Sequence, residues 1–148
     1  MKQFRFQLEP VLDFKQQTLE SLMVELDLIQ GRVMAQEYRK DVAYQRVEEY
    51  NAECARRKAE GMTIIEAMEC QTCQQVLARR AQEEDAKLQR LRKEEDAKRE
   101  QVVEARKETH SLEKLKEVRR TEYDHAAAKA EEKFLDDLTA ARWSAEAG

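Results

Sequence analysis

The stretch Glu60-Gly61-Met62-Thr63-Ile64-Ile65-Glu66 decides how this chain folds. Gly61 suits the left-handed position that ends a helix. Thr63-Ile64-Ile65-Glu66 is a capping box, in which the threonine side chain accepts from the third helical N–H and the glutamate reaches back to the threonine N–H. One helix therefore stops and another starts within about three residues, and a linker that short forces antiparallel neighbours.

Working outward from Met62, two apolar tracks with 3-4 spacing mirror each other. Cys54, Tyr50, Val47, Ala43, Lys40, Gln36, Val33, Ile29, Leu26, Leu22, Leu19 and Leu12 run backward, and Cys70, Gln74, Leu77, Ala81, Glu84, Leu88, Leu91, Glu95, Lys98, Val102, Ala105 and Leu112 run forward. Each member lies as far before Met62 as its counterpart lies after it. Such symmetry is the arithmetic of a hairpin, because folding at the centre sets one core position against another in every layer. It sets Lys40 opposite Glu84, and Leu26 and Ile29 opposite the polar Lys98 and Glu95, layers that specify register or lend flexibility.

The expected fold is all-α: a long two-helix antiparallel coiled-coil hairpin forming a single unit, with helix one at about 9–60, a turn at 61–63 and helix two at about 64–142. Pro10 fits the first helical turn. Gly31 is the only breaker inside helix one and costs about 1 kcal/mol relative to alanine. At about 1.5 Å per residue the helices reach roughly 75 and 115 Å, so the second outruns the first. Pairing is expected to stop near Leu8 opposite Lys116. That leaves an overhanging C-terminal helix from Glu117 to Arg142, with Arg119, Tyr123, Phe134 and Leu138 lacking any helix-one partner. Unpaired apolar residues at helical spacing, Phe134, Leu138 and Ala141, form a candidate docking stripe. Phe4, Phe6 and Leu8 make an apolar N-terminal arm that either folds back on the first turn or stays free for a partner.

Composition removes other classes. Charged residues are 39% of the chain, aromatics 6%, with three glycines and one proline in 148 residues, as in long helices whose apolar residues cover only a stripe. A net charge of -4 from 27 basic and 31 acidic residues leaves no broad basic field, so nucleic acid is not an expected partner. The cluster Lys114, Lys116, Arg119 and Arg120 alternates with Glu113, Glu117 and Glu122, a salt-bridged face. No apolar run of about 18 residues is present, which argues against membrane insertion. The opening Met-Lys-Gln-Phe-Arg-Phe lacks a signal peptide's apolar core, so a cytoplasmic protein with reduced thiols is expected.

Cys54, Cys70 and Cys73 are the one chemical constellation of note. The mirror register sets Cys54 against Cys70, yet zinc wants four ligands and neither His110 nor His125 is near. Small apolar seam residues are the preferred reading, no metal or cofactor is expected, and a thiol-based module at the tip is the rival. Without a nucleophile elbow, a phosphate loop or a concave pocket, no enzymatic activity is expected.

Both ends carry a family resemblance. Phe4-Arg5-Phe6-Gln7-Leu8-Glu9-Pro10-Val11-Leu12 resembles the aromatic-x-Leu-Glu-x-Val-Leu opening of the FliJ family. Leu112 to Tyr123, followed by Glu131-Glu132-Lys133-Phe134-Leu135-Asp136-Asp137, resembles its ending. Proteins of this family are coiled-coil components of the bacterial flagellar type III export apparatus, with looser injectisome counterparts of the YscO type. The resemblance implies a stalk-like coupling factor and export chaperone, a monomer when isolated, peripheral at the cytoplasmic face of the cell membrane. Its implied partners are a hexameric export ATPase of the FliI type, an export gate of the FlhA type and export chaperones. The candidate ATPase-binding residues are Phe6, Arg119, Tyr123, Phe134 and Leu138. The positions matching the family's gate contact are Tyr50, Cys73 and Leu77, with Cys73 where the family often has an aromatic. An injectisome stalk or a generic coiled-coil scaffold is the alternative.

Overall fold

The computed structural model describes residues 2–147. It holds two helices that pack against each other as a hairpin, α1 (Glu9–Glu60) and α2 (Ile64–Ala147). Helix two runs past the expected end near Arg142, because Ser144-Ala145-Glu146-Ala147 contains nothing that breaks a helix.

The turn is built as its residues require. The Gly61 N–H donates to the Arg57 carbonyl at 3.0 Å, and Gly61 takes a φ of 111°, which side chains with a Cβ rarely adopt. The capping box closes in both directions: the Glu66 N–H donates to Thr63 Oγ1 at 3.2 Å, and the Thr63 N–H donates to Glu66 Oε2 at 3.4 Å.

Contacts gather the chain into two compact units. The first contains residues 2–20 with 103–147, and the second Ser21–Val102. In the second unit, Leu88 is completely buried and clusters with Ile29, Val33 and Leu91. Toward the turn the seam narrows to Ala81 and then to Cys54 and Cys70, all buried. The polar layers are satisfied. Buried Gln36 donates to the Glu84 carboxylate and to the Glu84 carbonyl, and half-buried Lys98 pairs with Glu25 at 2.7 Å. Lys40 does not meet Glu84 as expected. It reaches Asp85 at 3.5 Å instead, because Gln36 occupies the Glu84 carboxylate from one helical turn away and Lys87 lies 3.6 Å from it.

The first unit has its own small core of Phe6, Leu12, Ala105 and Thr109. The Thr109 hydroxyl is satisfied by the Ala105 carbonyl at 2.8 Å, which lets a polar residue sit in the seam. Ion pairs Glu9–Lys116 at 2.8 Å and Lys15–Glu108 at 2.7 Å edge it. Both are substantially solvated, so they set register more than they stabilise.

Three outcomes are expected from this packing. Leu88→Ala lowers the free energy of urea unfolding by about 2–5 kcal/mol, since the leucine has no exposure to lose. Gly31→Ala raises it by about 0.5–1 kcal/mol, because a Cβ there meets nothing within 4 Å and alanine restricts the unfolded chain; Gly61→Ala lowers it by more than that, about 1–2 kcal/mol, through strain at positive φ. The Gln36 amide, bonded to the Glu84 carboxylate, holds that group below its ordinary value. Its stabilisation is complete above the unfolded value of about 4.3 and is lost as pH falls through the depressed folded value. Gln36→Met therefore flattens the acid limb of a stability-versus-pH curve.

Candidate docking surfaces

The N-terminal arm folds back. After a turn closed by the Glu9 N–H on the Phe6 carbonyl at 3.1 Å, Phe6 is buried and Phe4 lies on α2. The Phe4 ring stands 5.6 Å from the Tyr123 ring at 53°, and the Arg120 guanidinium sits over Phe4 at 5.1 Å. The Tyr123 hydroxyl donates to the Lys2 backbone carbonyl. Tyr123 thus has a partner from the chain's own beginning, contrary to the expectation that everything after Lys116 on the second helix is unpaired. The arm precedes α1, and a heptad track cannot register an extended segment. Aromatic and cation–π contacts, each about 0.5–1.5 kcal/mol, close this clasp.

The closed arm changes the candidate residues differently. Phe6 is packed inside and supports the clasp. Arg119 stays exposed and, with Lys2, Arg5 and Tyr123, lines a groove between arm and helix. Arg120, read from the sequence only as part of a salt-bridged basic face, is the cation that covers the arm's Phe4.

Past Tyr123 the helix is open. Phe134 is 63% exposed and Trp143 74%, with Leu135 and Leu138 about half exposed. Phe134, Leu138 and Ala141 share one face by helical spacing, and Leu135 lies beside it. No hydrogen bond or ion pair among the described residues ties this segment to α1.

At the other end of α1, Tyr50 and Leu77 are half-buried and Cys73 is exposed. The Tyr50 hydroxyl donates to Cys70 Sγ at 3.8 Å, and the neighbouring thiols, Cys73 foremost, push it well above its ordinary value. The two residues belong partly to the seam and partly to its edge. Ile64, Ile65 and Met68, which sequence reasoning passed over, are strongly exposed, and Ile65 and Met68 line a shallow recess with Cys73. Their signal was the Ile64-Ile65 doublet, since a helix seam accepts only one of two consecutive residues. Among the described residues no group of three or more His, Cys, Asp or Glu is arranged to hold a metal ion, and no helix is long and apolar enough to cross a membrane.

The fold is that of a coiled-coil protein, an antiparallel helical hairpin with apolar residues exposed at both ends of α2. The family model described as the flagellar FliJ protein matches residues 4–148, and the chain belongs to the FliJ family. That is a family of non-enzymatic, flagellar export-related coiled-coil proteins. No curated protein and no solved structure gives a match to the chain.

Phe4→Ala, which removes the ring held between Arg120 and Tyr123, is expected to accelerate amide hydrogen exchange in residues 2–8 at least tenfold while leaving α2 protection around Thr109 unchanged.

Proposed function

We propose that this protein is a stalk-like coupling factor and export chaperone of the flagellar type III export apparatus. It binds the hexameric export ATPase through the open end of α2, and the export gate through the edge formed by Tyr50, Cys73 and Leu77. The observation that carries the reading is the exposed run Phe134, Leu135, Leu138 and Trp143 on a helix with no α1 opposite it. A helix that keeps large apolar groups in water has reason to do so when a partner's groove receives them, and each such side chain contributes about 1.5–3 kcal/mol on burial.

The arm presents Lys2 and Arg5, which line a groove with Arg119 of α2, on the part of the helix that precedes this run. In this reading, basic groups guide encounter with an acidic lip on the ATPase while the apolar run supplies affinity. Tyr123 and Phe6 act by holding that end in shape, and Tyr123 keeps an accessible edge. At the tip, Ile65 and Met68 extend the gate-facing edge around Cys73. Export chaperones are further partners, and the working location is the cytoplasm, at the inner face of the cell membrane. No step of this function asks the chain to make or break a covalent bond.

The test is binding of full-length protein to the ATPase after Phe134→Glu and Leu138→Glu together. An affinity loss of roughly 100-fold or more is expected, as for removing two anchors of about 1.4 kcal/mol or more each, with helicity retained because both residues are exposed. Unchanged binding would remove the open helix end from the mechanism.

A further inference from the structure

We propose that Cys54 and Cys70 form a redox modification site, at which hydrogen peroxide converts an opposed thiol pair into an interhelical disulfide next to the hairpin turn. The two residues stand at equal distances either side of Met62, one on each helix, and both are buried. Their Sγ atoms are 2.7 Å apart. That is inside ordinary contact between sulfurs and within about 0.7 Å of a disulfide bond of ~2.05 Å. Closure therefore asks for a small approach of two side chains and no change of register. Both thiols are shut between the helices, which favours pairing with each other, whereas Cys73 is exposed.

The chemistry balances with peroxide as the sole oxidant. One thiolate attacks peroxide oxygen, the O–O bond breaks, and a sulfenic acid and hydroxide result. The opposing sulfur then attacks the sulfenic sulfur, the S–S bond forms and the second hydroxyl leaves. The two thiol protons end in two molecules of water. Burial, together with the Cys70 thiol, pushes the Cys54 thiol up from its ordinary value, which favours the protonated form and slows its attack on peroxide.

Closing the bond has a local consequence. The Tyr50 hydroxyl now rests on a thiol at Cys70. Oxidation turns that sulfur into half of a disulfide and ties the residues from Cys54 to Cys70 into a loop, so the tip loses its freedom to open. A cytosolic disulfide of this kind is transient and sensing in character.

Full-length protein is treated with excess hydrogen peroxide, its remaining thiols are alkylated under denaturing conditions, and the cysteine peptides are mapped by mass spectrometry. The expected product has lost two hydrogen atoms, links Cys54 to Cys70, carries one alkyl group on Cys73 and reverts with dithiothreitol. Its Tm is expected to rise by roughly 5 °C or more over the reduced form. The Cys73→Ser variant should give the same link. The proposal is overturned by three alkylated cysteines, by oxidation of Cys73 with Cys54 and Cys70 still alkylated, or by a disulfide that joins Cys73 to Cys54 or Cys70.

Discussion

Equal distance from Met62 is the constraint on which the rest depends. A turn of three residues, closed by Gly61 at positive φ and by the reciprocal Thr63–Glu66 cap, leaves the two helices no freedom to slide. In the second unit Cys54 meets Cys70 at equal distances from Met62, and Glu25 meets Lys98 one residue off that symmetry. In the first unit Glu9 pairs with Lys116 and Lys15 with Glu108. A seam of small and medium residues with few large ones cannot select a register by shape alone. The turn does so geometrically, and polar layers such as Gln36–Glu84 penalise the alternatives, because a shifted register strands a buried amide.

The same constraint produces the surfaces. A helix of 84 residues facing one of 52 must leave part of itself without a partner on α1. The chain shortens that remainder by folding residues 2–8 back onto Tyr123, so the open segment starts later than the helices alone dictate. The clasp is held by one aromatic pair, one cation over a ring and one hydrogen bond. Few buried contacts hold it, which puts it among the parts of the molecule that open most easily.

Most of the fold was legible in the sequence, because a two-helix seam is written in one dimension: the period gives the helices, the cap gives the turn, and symmetry gives the pairing. Helix boundaries near Glu9, Glu60 and Ile64 followed from Pro10, Gly61 and the Thr63 cap. What was illegible lies off the heptad track. Phe4 on Tyr123 depends on the path of an extended arm, and Lys40 turning to Asp85 depends on competition among side chains for one carboxylate. The exposed apolar run at Phe134–Leu138 was readable as unpaired, while Ile65 was hidden by its place inside the cap and Met68 by its place just after it. Membership of the FliJ family, seen first in the two ends, extends over residues 4–148.

The central claim is that α2 beyond Tyr123 is kept open for the export ATPase. Hydrogen exchange of the full chain, alone and with the ATPase hexamer, tests this directly. Residues 124–147, on which no described residue of α1 packs, are expected to exchange quickly in the free protein and to become strongly protected in the complex. Protection that appears elsewhere on the chain while 124–147 stays fast would contradict it.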